Sequence, residues 1–191
     1  MILEGLCTTR NLDGSVNVAP MGPIVNAELT TFHFRPYQTS TTYQNLKRTG
    51  QGVFHVTDDV ELIAQAAIGQ LHETPQFLKT DIVEGAVLAS ACRWYEFRVT
   101  RIDDSLLRTE IETELVHVGR LRDFFGFNRA KHAVLEAAIL ATRLRLIPLD
   151  EIKSRFYELE IAVEKTAGPV ERRTYAMLKQ YLQEQESSMS R

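Results

Sequence analysis

The sequence predicts an α+β protein in which a strand-rich first two thirds precedes an all-helical tail. Three observations carry this: two-residue alternation in several early segments, an Asp13-Gly14 pair between two strand-like runs, and a change to helical period after Asn128. Strands are predicted at residues 2–9, 15–18, 22–25, 30–34, 52–57, 94–102 and 106–118. The first two form a hairpin, because glycine tolerates the positive φ of a tight turn. In the sixth, Trp94, Glu96 and Arg98 alternate with Tyr95, Phe97 and Val99, the two-residue period of a strand. The Asp103-Asp104-Ser105 turn joins the last two strands.

Short helices interrupt this pattern. Thr41-Thr42-Tyr43-Gln44 fits a capping box, with Thr41 as cap and Gln44 reaching back, and Gly50 marks the helix end. A second helix is predicted over 58–68, ended by Gly69. Residues 129–146, 150–166 and 170–185 read as three further helices, separated by Pro148 and by Gly168-Pro169. Residues 70–93 show no clear period, and the chain holds no internal repeat.

With 191 residues, 44% of them hydrophobic and 25% charged, the chain can bury a core without metal or disulfide staples. Collagen, disorder and knottin-like scaffolds are excluded. Apolar runs fall far short of the ~20 residues of a bilayer span, and MILEGLCTTR lacks a signal pattern, so a soluble cytoplasmic protein is expected. Cys7 and Cys92 have no partner at zinc spacing and read as reduced, buried thiols; no metal site is predicted. His33 and His55 lie within strands and read as pairing or core residues. Against 25 acidic residues stand 22 Lys plus Arg, a net charge of -3 that argues against a general nucleic-acid binder.

Three stretches carry candidate chemistry. In Phe34-Arg35-Pro36-Tyr37-Gln38-Thr39-Ser40-Thr41-Thr42 an arginine and four consecutive hydroxyls precede a helix start, whose free amides and positive dipole end favour an anion. The bland reading is a hydroxyl-rich loop with an exposed arginine. In Asn17-Val18-Ala19-Pro20-Met21-Gly22 a proline and a glycine break a strand; this is either backbone open to a flat ligand or a bulge or sheet corner. On the helix opened by Asn128, Arg129, His132, Glu136 and Arg143 fall in one stripe roughly 60° wide at ~100° per residue, among alanines. That stripe is either a solvated ion-pair face, with Glu136 serving His132 and Arg143, or the wall of a site. No nucleophile-base triad can be assembled.

Taken together, Val18–Gly22 (VAPMG), Arg35–Asn45 (RPYQTSTTYQN), Val53–Asp59 (VFHVTDD) and Gly126–Lys131 (GFNRAK) resemble the flavin-reductase-like, FMN-binding split-barrel superfamily. The resemblance is to a branch that ends in a helical appendage with a stretch like NRAKHAVLEAAILATRLRL. It covers nearly the whole chain. It implies a six-stranded antiparallel split β-barrel with short helices over 1–125, a three-helix C-terminal appendage over 126–191, and a homodimer with FMN near the interface. Arg35, Thr39, Ser40, Thr41 and Thr42 would hold the FMN phosphate, and Ala19, Pro20, Met21 and Gly22 would border its ring or ribityl chain. Asn45, Asn128 and Arg129 are carried over as further cofactor contacts.

A single compact anion site without a dinucleotide fingerprint favours FMN over FAD. Related branches bind F420 or haem or oxidise pyridoxine phosphate, and this branch is associated with pterin-linked one-carbon metabolism. The leading expectation is an oxidoreductase in which FMN carries hydride or electrons between small molecules. The alternative is a non-catalytic flavin-binding or interaction module. A nucleic-acid binder using Arg120, Arg122, Arg129, Lys131, Arg143 and Arg145 is disfavoured, because aromatics are not interleaved with them.

Overall fold

Strands β1 (Gly5–Arg10) and β2 (Val16–Met21) form the expected hairpin, in register from Gly5 opposite Met21 to Arg10 opposite Val16. Its turn is locally determined. Asp13 Oδ1 accepts from the Ser15 amide at 2.9 Å, and Gly14 takes φ 82°, a conformation that a side chain disfavours. The structure, a computed structural model, describes residues 1–189. Its further elements are β3 (Ile24–Val25), β4 (Thr31–Phe34), α1 (Thr41–Thr49), β5 (Gln51–Val56), α2 (Val60–Ala67), β6 (Phe77–Leu78), β7 (Val87–Leu88), β8 (Arg93–Asp103), β9 (Glu110–Arg120), α3 (Arg129–Ala141), α4 (Leu149–Thr166) and α5 (Pro169–Met189).

Contacts divide the chain into two units. The first comprises Met1–Thr57 and Thr74–Phe124; the second comprises Asp58–Glu73 and the chain from Phe125 on. The sequence reading has one boundary, at 125/126, whereas the chain crosses between units after Thr57, Glu73 and Phe124.

In the first unit seven strands form one antiparallel sheet, ordered β2-β1-β5-β8-β9-β4-β3, and β6 pairs with β7 as a separate ribbon. The resemblance implies six strands. The seventh arises because Gly22-Pro23 interrupts what is otherwise one bent strand. Ile2 bridges Ile24 in the register that Gly5 and Met21 began, and Leu3 N donates to Pro23 O at 3.1 Å. Since β2 pairs with β1 and β3 pairs with β4, this bent segment joins the two ends of the sheet and curls it. Proline at the break removes a donor, which an edge tolerates.

An aromatic core fills the curl. Phe32, Phe34, Phe54, Tyr95 and Phe97 are all at most 2% exposed, with ring centroids of Phe34 and Phe97 4.9 Å apart and of Phe32 and Tyr95 5.0 Å apart. Tyr43 and Leu46 of α1 pack into the same cluster.

The second unit contains four helices: the three read from the sequence after Asn128, and α2. In α2, Val60 and Ala64 share a core with Ala133, Ala137, Ala138, Ile152, Phe156 and Leu178. Alanine at these α3 positions lets helices approach closely. Caps follow the sequence chemistry: Asp59 accepts from Leu62 N at 3.0 Å, and Asn128 Oδ1 accepts from Lys131 N at 3.0 Å. The first C-terminal helix stops at Ala141, not at 146. Beyond it Arg143 N bonds back three residues to Leu140 O, and turns lead to Pro148. Arg143 therefore lies off the helix, and the expected four-residue stripe is reduced to Arg129, His132 and Glu136. Among the described residues no helix is long and apolar enough to cross a membrane.

Candidate anion and flavin site

The segment between β4 and α1 is the candidate site, and the far side of the β8–β9 hairpin anchors it. Gln38 N donates to Leu107 O at 2.9 Å, and Gln38 Nε2 donates to Asp104 O at 2.7 Å. Thr109 binds Pro36 O through both its amide and its hydroxyl, each at 2.9 Å. Residues 106–109, predicted as strand, are the loop that makes these bonds; β9 begins only at Glu110. Pro36 and Gln38 thereby hold the Arg35–Ser40 segment in place.

Among the hydroxyls, Ser40 is the cap, not Thr41. Its Oγ accepts from Tyr43 N at 3.2 Å and donates to Tyr37 O at 2.8 Å, so it is occupied. Gln44 reaches back to Gln38 O rather than to the cap amide. Four hydroxyls in a row leave the register of the cap open in the sequence; Ser40 wins because the chain turns at Tyr37, placing Ser40 N on Tyr37 O at 2.9 Å. Thr42 is buried and accepts from Asn17 Nδ2 at 3.1 Å, while Thr39 and Thr41 are exposed. Asn45 is buried, with Nδ2 donating to Thr9 Oγ1 at 3.0 Å and to Asn11 Oδ1 at 2.8 Å, which ties α1 to the first hairpin.

Arg35 is half-buried, and its Nε lies buried without a hydrogen-bond partner. A buried guanidinium donor left open is costly, and it is the kind of atom that a ligand anion satisfies. Arg35, the exposed hydroxyls of Thr39 and Thr41 and the first-turn amides of α1 follow one another within a short stretch of chain, and each is a donor of the kind a phosphate takes. This donor set fits a phosphate group.

Ala19, Pro20 and Met21 lie on β2, all half-buried, opposite Cys7, Leu6 and Gly5. The following Gly22 has a packing reason: a Cβ there would stand 2.8 Å from Ile2 Cγ2 and 3.1 Å from the Glu4 carboxylate. In the second unit Asn128 is spent on capping and on Thr166 O, 3.2 Å from its Nδ2. Arg129 and His132 are exposed and Glu136 half-buried, and none of the three forms an ion pair among the described residues.

Two buried groups serve the fold. His55 is fully buried; its Nδ1 lies 3.1 Å from Leu6 O, and Leu88 N donates to its Nε2 at 3.1 Å. These bonds fix a neutral tautomer, and burial pushes its pKa down to about 4. Burial likewise pushes the Cys7 thiol up to about 12, which makes it unreactive. Both cysteines are free and buried.

Sequence reasoning did not single out Glu96, which is fully buried. Its Oε1 accepts from Asp81 N at 2.8 Å and Trp94 Nε1 at 3.2 Å, and its Oε2 from Ile82 N at 2.7 Å and Val83 N at 2.9 Å. Burial alone would raise its pKa, but the three backbone amides and the indole outweigh that and lower it. Glu96, Asp81 and His117 cluster at metal-like spacing. The four donors take up the lone-pair capacity of Glu96, and His117 Nε2 lies 3.1 Å from Asp81 Oδ2, so the cluster is a hydrogen-bonded anchor.

Residues 3–122 match the family described as "Protein of unknown function (DUF447) N-terminal domain", and residues 128–180 match "Protein of unknown function (DUF447)". No curated protein matches the sequence. Among solved structures the chain is similar to the FMN-bound protein MM1853 of Methanosarcina mazei, from the same family, at 21% identity over 94% of each chain with a TM-score of 0.82. It is similar to the styrene monooxygenase flavin reductase of Pseudomonas putida S12 at 12% identity, covering 62% of this chain and 80% of that one, TM-score 0.51. Flavoredoxin of Desulfovibrio vulgaris (Miyazaki F) is similar at 10% identity, 62% and 69% coverage, TM-score 0.52. The fold is that of flavin-reductase-like split-barrel proteins.

Proposed function

The chain belongs to the DUF447 family, and on that premise we propose that it is an FMN-binding flavoprotein acting as an oxidoreductase on a small molecule. The observation that supports this most is the buried, unpartnered Nε of Arg35 in the segment that leads into α1, in a fold whose relative MM1853 is FMN-bound. Bound FMN supplies hydride and single-electron chemistry. Arg35, Thr39 and Thr41 hold its phosphate, with the α1 amides completing the cradle, while Ser40 and Thr42 shape the loop. The β2 edge at Ala19–Met21, with Gly22, borders the ring or ribityl chain. Asn45 keeps α1 on the hairpin that carries this edge. Asn128 sets the start of α3, and the exposed Arg129 is a separate cationic candidate for an anionic ligand. In this reading the assembly is a homodimer, and the pterin-linked setting is a proposal about context.

Arg35→Ala is expected to weaken FMN binding at least tenfold, from the loss of ~1.5–3 kcal/mol of charge-assisted bonding. Titration of FMN, followed by flavin fluorescence, measures this. Equal affinity in variant and parent would overturn the phosphate assignment. Turnover of NAD(P)H by the FMN-loaded protein separates an oxidoreductase from a flavin-binding module. A dimeric mass at micromolar concentration with saturating FMN is expected; a monomer refutes the assembly.

A further inference from the structure

A cleft lies at the other end of α1. With a volume of about 780 Å³, it opens in the first unit between the β1–β2 turn, the last turn of α1 and the β6–β7 ribbon. That volume suits a small-molecule ligand. Three cationic side chains, Arg10, Arg48 and Lys79, line it against one carboxylate, Glu84.

The manner in which the arginines are held is informative. Arg10 Nη1 donates to Gly14 O at 3.0 Å and Nη2 to Gly85 O at 2.9 Å. Arg48 Nη2 donates to Arg10 O and, at 3.3 Å, to Asn45 Oδ1. Neutral oxygens therefore fix both guanidiniums without cancelling their charge, and among the described residues neither they nor Lys79 form an ion pair. Asn45 thus orders this cleft as well as the hairpin. The carbonyl end of α1 opposes an anion with only about half a unit charge, less than the surplus of the three cations. Phe77, half-buried on the ribbon, offers an apolar face beside them.

We propose that this cleft binds a phosphorylated small molecule with a ring, its phosphates on Arg10, Arg48 and Lys79 and its ring toward Phe77. The site is distinct from the Arg35 loop: α1 has nine residues, which separates its two ends by about 13 Å. The inference does not depend on the flavin reading.

The test is calorimetric titration of ADP, with adenosine and pyrophosphate as comparison probes, into protein with excess FMN present so that the Arg35 site is filled. ADP is expected to bind saturably, pyrophosphate to compete with it, and adenosine to bind at least tenfold more weakly. The exposed double variant Arg48→Gln, Lys79→Ala should weaken ADP at least tenfold while leaving FMN affinity unchanged. Absence of saturable ADP binding overturns the proposal, as does ADP affinity unchanged in the double variant. Failure of FMN binding in Arg35→Ala tests the other site alone, so the two readings fail separately.

Discussion

Replacing Glu96 by Gln is expected to destabilise the protein by about 3–5 kcal/mol, a large part of the ~5–15 kcal/mol that holds a typical domain together. The carboxylate accepts four N–H bonds and donates none. A glutamine must turn its NH2 toward two of those donors, either Asp81 N with the Trp94 indole or the amides of Ile82 and Val83. Each charge-assisted bond carries ~1.5–3 kcal/mol, and a buried donor left facing a donor costs more than its removal. Urea unfolding of parent and variant at neutral pH measures the difference. A shift below 1 kcal/mol would show that the 81–83 turn does not depend on this carboxylate.

Acid should weaken the parent through His55. Its folded pKa, about 4, lies below the ordinary value of 6.5. The folded state therefore prefers the neutral ring, so this contribution is fully present above pH 6.5 and is lost as pH falls from 6.5 toward 4. The full span amounts to about 3 kcal/mol, of which roughly 2 kcal/mol should vanish between pH 7 and pH 5. The lowered pKa of Glu96 acts in the same direction at still lower pH, below the ordinary carboxylate value of 4.5. His55→Gln keeps a donor and an acceptor but cannot titrate. It is expected to start less stable and to show a flatter profile over this window. An equally steep profile in His55→Gln would assign the acid sensitivity to another group.

These two residues also mark what the sequence could and could not tell. His55 was legible as a core residue, because Val53 to Val56 reads as a buried strand, and β5 lies between β1 and β8. Glu96 was not, since alternation records only which face of β8 a residue occupies. What covers that face is residues 81–83, in a stretch whose strands β6 and β7 have two residues each, too short to show a period. The loop holding Arg35 stood out as an anion-site candidate from residue types alone. Its anchorage on residues 104–109 did not, because those bonds span about seventy positions and leave no local trace. Similarly, Asp59 announced the start of α2 through capping chemistry. That α2 shares a core with α3 is a tertiary choice that no local signal carries.

The placement of α2 has a consequence for synthesis on the ribosome. The first unit's last strand, β9, ends at Arg120, so its sheet can pair fully while the C-terminal helices are still being made. During that interval α2 has emerged, but its partners from Ala133 to Leu182 have not. Val60 and Ala64 then lack those partners on a helix of eight residues, too short to be stable alone. The nascent chain thus carries an unsheltered apolar segment until its final helix arrives, and a stall or truncation within α3–α5 leaves that segment open to chaperones, proteases and aggregation.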